Sequence, residues 1–466
     1  MSSNSTRTGG RWRYNATDAT TSGSWAGKSN ASGGHRASMI ARQVREDLFR
    51  SNGQLKLGRR NKADPIIFVL ALGLAAFGLV VIYSIASGLF DGNQATINRE
   101  MWKRVGFLAA GVIAFFGARL VTLDTWKKYS SWIFLIGLLI CVALPIFGKM
   151  GMPFATCALG ACRWYDLGVV SFQPAELLKL GTVLFMAGYL STRLAAGKLN
   201  SLWTLGEVGI VMLVALGAIV GLQKDMGTGA ALLAIFLIQL VMSGMSWKRL
   251  GIIGLAMLAL FVAMIIVAPH RLERIATFTK SGNSDSDYHI NQAMIALGSG
   301  GLTGRGLGQS VQAYGWLPEA VNDSIFAIVG ETLGFFGAAG LIIAFAVLIM
   351  RMFNMTNYLS NMYLRLVVAG VVGWFAAHVF ANSMSMIHLI PLTGITLPLV
   401  SSGGTSLIFV MASLGIVSGI SRYTSRRKIA LNEVDEGKER ATDEDSLRGR
   451  RQWRTHNAHR GRIGTA

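Results

Sequence analysis

Charge is what this chain has least of. Only 15% of its 466 residues are Asp, Glu, Lys or Arg, against roughly a quarter in a soluble domain. That shortage, with 52% hydrophobic residues, excludes an ordinary soluble protein. Cysteine is scarce as well: Cys141, Cys157 and Cys162 make up the full set. So few cannot define a disulfide scaffold, and no His or Cys cluster has metal-ligand spacing. His270, His289, His378 and His388 read as ordinary polar residues. Zinc-finger spacings, recognition-helix patterns and aromatic-basic RNA-binding motifs are missing. The formal net charge of +20 therefore does not indicate nucleic acid. No signal peptide is expected, because the first apolar run starts only at Pro65 and is too long for one. Internal repeats and a soluble domain are also absent from the pattern.

What the chain does have is apolar length. Segments of about 20 apolar residues, enough to cross a bilayer as helices, recur from Pro65 to Ile420. The predicted fold is an all-α integral membrane protein, a ten-span bundle with spans at 65–89, 105–123, 131–148, 173–191, 204–222, 228–244, 250–268, 323–350, 361–386 and 399–420. An even count puts both termini on one side. Arg119, Lys127, Lys128, Arg193, Lys198, Lys248, Arg249 and Arg351 all fall on the side of the tails, opposed by Arg99, Lys103 and Arg104. The positive-inside rule then places both tails in the cytoplasm, beneath the cytoplasmic membrane.

Three units follow: a disordered basic tail over 1–64, the membrane domain over 65–420, and a disordered charged tail over 421–466. Within the first tail, Ile40, Val44 and Leu48 could form one face of a short amphipathic helix on the membrane, or stay solvated. Basic residues such as Arg426, Arg427 and Lys428 suit anionic lipid headgroups.

Two outer connections are long, 148–172 and 269–322, the second lying between spans seven and eight. The second contains Ile290–Leu297, too short to span and suited to an interfacial or re-entrant helix, and then the run GSGGLTGRGLG. No strand precedes that run and its spacing is wrong for a dinucleotide fingerprint. Its glycines instead allow close backbone approach to a substrate or a neighbouring helix. After it come Trp316-Leu317-Pro318-Glu319, then Asn322-Asp323-Ser324, then an apolar helix carrying Glu331. Asp is a favoured helix cap, so position alone makes Asp323 a cap for a helix starting near Ile325. A carboxylate at a membrane span is also expensive and usually functional.

The wording of the stretch decides between these readings. LPEA, Asp323, IFAIVGE and LGFFG resemble the loop-and-helix signature of the FtsW/RodA (SEDS) family of cell-wall polymerases, and GLGQSVQ is closer to the FtsW branch. Arg163-Trp164-Tyr165-Asp166-Leu167-Gly168, leading into Gln173-Pro174-Ala175-Glu176 and Lys179, resembles two further family elements. Gln223-Lys224-Asp225-Met226-Gly227-Thr228 resembles another, with Lys224 where Pro is frequent. Pro391-Leu392-Thr393-Gly394 and Pro398-Leu399-Val400-Ser401-Ser402-Gly403-Gly404 resemble the last outer loop, with Ser402 where Tyr is frequent. Val81-Ile82-Tyr83-Ser84 resembles the end of the first span.

The resemblance implies a peptidoglycan glycosyltransferase that polymerises lipid II at the outer membrane face during septal synthesis, with inversion and loss of undecaprenyl pyrophosphate. A class B penicillin-binding protein and other divisome proteins would be partners. Chemistry of this kind needs cations for the pyrophosphate, a base for the attacking hydroxyl, and an apolar groove. Asp323 is the expected base, since a helix N-terminus and nearby cations favour an ionised carboxylate. Arg163, Lys224, Arg271, Arg274 and Arg305 are candidate cations, and Glu319, Ser402 and Gly403 further substrate contacts. Gln173, Glu176, Lys179, Asp225 and Glu331 are expected to support: a Glu176–Lys179 pair, a span start at Asp225 that Thr228 could cap, and a network partner at Glu331. Gly330, Gly334 and Gly337 read as a close-packing helix face. Cys157 and Cys162 can bond in an oxidising compartment and staple the loop before Arg163. A divalent cation could assist, although no metal site is visible. A lipid-precursor flippase or a non-catalytic division scaffold are the alternatives.

Overall fold

The computed structural model describes residues 61–90, 92–158, 161–168, 170–266 and 285–424. Arg271, Arg274, His270, the 38–50 segment and nearly all of both tails lie outside them. Helix α1, Pro65–Leu89, starts where the Asp64 carboxylate accepts from Ile66 N, with Pro65 in the first turn. Helix α2, Gln94–Leu120, begins well before the predicted 105, because Asn93 caps it and a Glu100–Lys103 pair at 2.8 Å decorates its polar end. Hydropathy registers only the apolar part of such a helix. Helix α3 is Leu123–Lys149 and α4 is Pro174–Ala195. Helix α5, Leu202–Leu216, runs into a π turn, Gly217–Leu222. Then come α6, Met226–Met242; α7, Trp247–Ile266; α8, Asp285–Gly300; α9, Ile325–Thr356; α10, Met362–Met386; and α11, Gly404–Ile420.

Each predicted span coincides with a helix. Among the described residues, α1, α2, α3, α5 with its π turn, α9, α10 and α11 are long and apolar enough to cross a membrane, seven in all. Helix α6 is apolar but shorter. The all-α expectation needs one amendment. The outer connection 148–172 contains a small antiparallel sheet in the order β1 (Ala155–Ala158), β2 (Ala161–Asp166), β3 (Ser171–Phe172). A cross-strand aromatic ladder holds it: Tyr165 stacks between Phe154 and Phe172, with centroids 6.2 and 6.4 Å away. The Tyr165 hydroxyl donates to Ile140 O at 3.0 Å and ties the sheet to α3. Burial pushes that phenol up from its ordinary value. Cys157 and Cys162 face each other across the hairpin and are bonded.

Packing pairs α2 with α11, α3 with α4, α6 with α10 and α8 with α9. Glycine permits the first pair, since a Cβ on Gly415 would sit 2.2 Å from Phe115 O. The largest fully buried side chains include Trp374, Phe236 and Phe345, and also Lys179. The ends of the described region meet. Asn61 N and Nδ2 donate to Arg422 O and Thr424 O at 2.6 and 2.8 Å, and Asp64 pairs with Arg351 at 2.7 Å.

Candidate active site

The turn that precedes α9 is built by its own polar residues. Glu319 adopts a φ of +52°, and its carbonyl accepts from Asn322 N and Ser324 N at 2.9 and 3.2 Å. The Asn322 amide donates to the Glu319 carboxylate at 2.6 Å. Ser324 Oγ donates to Pro318 O at 2.8 Å and pairs with Nε2 of His289, from α8, at 2.6 Å. Ser324 holds the N-cap position of α9 and makes no capping bond from its side chain. The helix-cap reading thus puts Asp323 one residue too close to the helix. Asp323 itself is buried, with 8% exposure.

The last outer loop closes over this turn. Ser401 Oγ donates to Asn322 O at 2.6 Å and Ser402 N to Val321 O at 2.8 Å. Gly394, at φ +66°, runs so close that a Cβ there would lie 3.9 Å from Asp323 Oδ2. From α10, Asn382 Nδ2 donates both to Asp323 O and to Ile395 O, at 2.6 and 2.7 Å. Gly403 begins α11 as its N-cap.

The glycine run packs on α9 from the other side. Helix α9 is not continuous: Gly334 has φ 67° and ψ −165°. Its freed backbone is taken up by the loop, with Arg305 N and Gly306 N donating to Glu331 O and Thr332 O at 2.9 Å. Phe335 N and Phe336 N donate to Gly301 O and Leu302 O, at 2.9 and 3.2 Å. Irregular backbone at membrane depth must find such partners within the protein. This corrects the reading of Gly330, Gly334 and Gly337 as one smooth face. Gly334 breaks the helix, and a Cβ there would lie 2.3 Å from Gly304 N. Glu331 is fully buried. One oxygen accepts from Val311 N and Gln312 N at 2.8 and 3.3 Å, the other from the Ser310 hydroxyl. Arg305 is exposed.

A third cluster joins the sheet to α6. Arg163 on β2 donates to Gln223 O and Lys224 O, at 3.4 and 2.7 Å. Gln223 Nε2 donates to Cys141 O at 3.0 Å. Asp225 is the N-cap of α6, accepting from Thr228 N and Oγ1 at 3.0 and 2.8 Å. The cap is therefore Asp225, with Thr228 as its donor, the reverse of the expectation. Lys224 is exposed at φ +55°. Gln173 holds the N-cap position of α4 without a capping bond.

Deeper in the bundle, Glu176 and Lys179 pair at 2.8 Å. Lys179 also lies 3.1 Å from His378 Nε2 and 4.8 Å from the centre of the Trp374 ring. An ammonium only donates, so His378 Nε2 accepts and its proton sits on Nδ1, which faces Thr396 O at 3.1 Å. His378 and His289 are thus network members rather than ordinary polar residues. Sequence reading missed them because their partners are far away in the chain. Asn382 and Ser401 escaped for the same reason.

Beside the loop lies a cavity of about 240 Å³ lined by Lys103, Arg104, Trp164, Ser402, Gly403 and other residues. Arg104 Nε and Nη1 are buried there without a hydrogen-bond partner among the described residues. Leu79 also lines a second, apolar groove with Tyr83, Met101, Trp102 and Val105. Sequence reading took Lys103 and Arg104 only as exceptions to the charge bias. Among the described residues no three His, Cys, Asp or Glu side chains converge to hold a metal ion.

A family model described as a cell cycle protein, covering FtsW, RodA and SpoVE, matches residues 64–426. The chain belongs to that family. It is 31% identical to stage V sporulation protein E of Bacillus subtilis over 374 residues, covering 78% of this chain and 99% of that one. It is similar, again at 31%, to the probable peptidoglycan glycosyltransferase FtsW of Neisseria gonorrhoeae over 418 residues, covering 81% and 88%. The peptidoglycan glycosyltransferase MrdB of Escherichia coli K12 shares 29% over 373 residues, covering 79% and 95%. The fold resembles a chain of a peptidoglycan synthase complex with a TM-score of 0.62, at 23% identity, over 78% of this chain and 99% of that one. RodA of Thermus thermophilus matches with a TM-score of 0.56, also at 23%, over 78% and 98%. With its apolar helices, this FtsW/RodA/SpoVE family member is a multi-pass membrane protein.

Proposed function

We propose that the protein is a peptidoglycan glycosyltransferase that polymerises lipid II at the outer face of the cytoplasmic membrane, with Asp323 as general base. The observation that carries the reading is the buried Asp323 carboxylate at the turn where α9, α10 and the last outer loop meet. A positioned carboxylate there can take the proton of the attacking 4-hydroxyl as the glycosidic bond forms with inversion. Undecaprenyl pyrophosphate is then the leaving group. Lys103 and Arg104 line the cavity beside Ser402 and Gly403, and suit the phosphates better than Arg163. The guanidinium of Arg163 already donates to two backbone carbonyls, which leaves fewer of its five donors for a phosphate. The groove along Tyr83 and Trp102 suits the prenyl chain.

Glu331 supports the loop that faces this site, and Glu176, Lys179 and Asp225 support its floor. Both tails are placed in the cytoplasm and the outer loops on the far side, on the basic residues of the inner connections. A class B penicillin-binding protein is the proposed partner, because a structural neighbour belongs to a peptidoglycan synthase complex. The FtsW-like wording GLGQSVQ favours a septal role. Purified protein should elongate lipid II into glycan strands, more strongly with the partner. Translocation of lipid II without polymerisation would favour a flippase, and neither activity would leave a scaffold.

A further inference from the structure

We infer that Asn382 and His378 are positioning residues for the reaction, fixing Asp323 and residues 394–396 of the last outer loop in one reactive geometry. The inference rests on the reading of Asp323 as the base. The two side chains sit one turn apart on α10 and so project from the same face. Together they grip consecutive carbonyls of the loop, Ile395 O from Asn382 and Thr396 O from His378. Asn382 uses its second amide hydrogen on the carbonyl of Asp323 itself. One fully buried amide therefore couples the backbone of the base to the loop whose Gly394 runs beside the carboxylate.

The orientation of that amide is forced. Turning it over would aim its oxygen at two carbonyl oxygens, with no hydrogen between them. Its own Oδ1 is buried without a hydrogen-bond partner among the described residues. A side chain selected only for packing would not carry that cost; one that must donate twice toward the site would. His378 is oriented in turn by Lys179, which Glu176 holds from the other side. The chain of contacts from α4 thus ends at Thr396 O, next to the Ile395 carbonyl that Asn382 ties to the backbone of Asp323. A shift of about 1 Å at such a group can cost on the order of a hundredfold in rate.

The test measures lipid II polymerisation by the full chain with its partner, together with lipid II binding and melting. Asn382→Ala should lower kcat by roughly ten- to a hundredfold with KM and binding within about twofold. His378→Leu should lower kcat in the same way. His378→Asn, whose Nδ2 falls where Nδ1 sits and can still donate to Thr396 O, should recover most of the rate. In an Asp323→Asn background, Asn382→Ala should add less than about twofold, because residues acting as a unit are not additive. Equal fold-losses in both backgrounds, or a fall in melting temperature with kcat unchanged, would overturn the positioning role. If Asn382→Ala does not fold, the His378→Leu and His378→Asn pair decides alone, and equal rates for the two count against it. Wild-type activity in Asp323→Asn by itself would instead remove the base assignment.

Discussion

Replacing Glu331 tests how the glycine loop is held. The carboxylate is fully buried and accepts from Ser310 Oγ, Val311 N and Gln312 N. Alanine strands both backbone donors, each costing about 1–3 kcal/mol when buried and unmatched, so the loop should lose about 2–6 kcal/mol. The Ser310 hydroxyl can rotate away, and its loss is small. Glutamine keeps an acceptor for the two N–H groups and can turn its amide toward Ser310 Oγ. It gives up only the charge assistance, worth about 1 kcal/mol per bond, or about 2–3 kcal/mol in all. Hydrogen exchange at Val311 and Gln312 reads this directly, because local opening scales tenfold for each 1.4 kcal/mol or so. Glutamine should speed exchange on the order of 30- to 100-fold, and alanine by about 30-fold up to about 20,000-fold. Exposed Arg305, in the same loop, should become a trypsin site in the alanine variant. Wild-type protection in Glu331→Ala would refute the view that this carboxylate anchors the loop.

Gly334→Ala should sharply reduce the yield of folded protein, because a Cβ at φ 67° would meet Gly304 N at 2.3 Å. Gly340→Ala, whose Cβ meets nothing within 4 Å, should leave the yield as it is. Lys179→Met strands buried Glu176 and His378 and should cost about 3–5 kcal/mol in stability, read as a lower melting temperature. Adding Glu176→Gln to it should recover part of the loss. Mass mapping without reduction should find Cys157 joined to Cys162; two free thiols would contradict the hairpin staple.

The helices were legible because apolar length is a local signal. Every predicted span lies on a helix, but α2 starts early, since Asn93 and the Glu100–Lys103 pair extend it beyond its apolar stretch. The small sheet was not legible, because its aromatic ladder depends on α3 beneath it. At the site, motif wording picked out Asp323, Glu331 and Asp225, and spacing gave the Glu176–Lys179 pair. The break at Gly334 was hidden, because glycine at that position reads equally as helix packing. Asn382 and His378 were hidden because each acts across the fold, on carbonyls that carry no side-chain signature. Arg163 was recognised as a cation and expected at substrate; that its guanidinium also closes the 223–224 turn carries no sequence signal, because the partners are backbone carbonyls.

The most direct measurement is lipid II polymerisation by Asp323→Asn in complex with the partner. Asn keeps the volume and one oxygen but cannot accept the proton. A positioned base contributes roughly a hundred- to ten-thousandfold in rate, so the account predicts a loss of at least about a hundredfold with lipid II still bound. Polymerisation at the wild-type rate would contradict it.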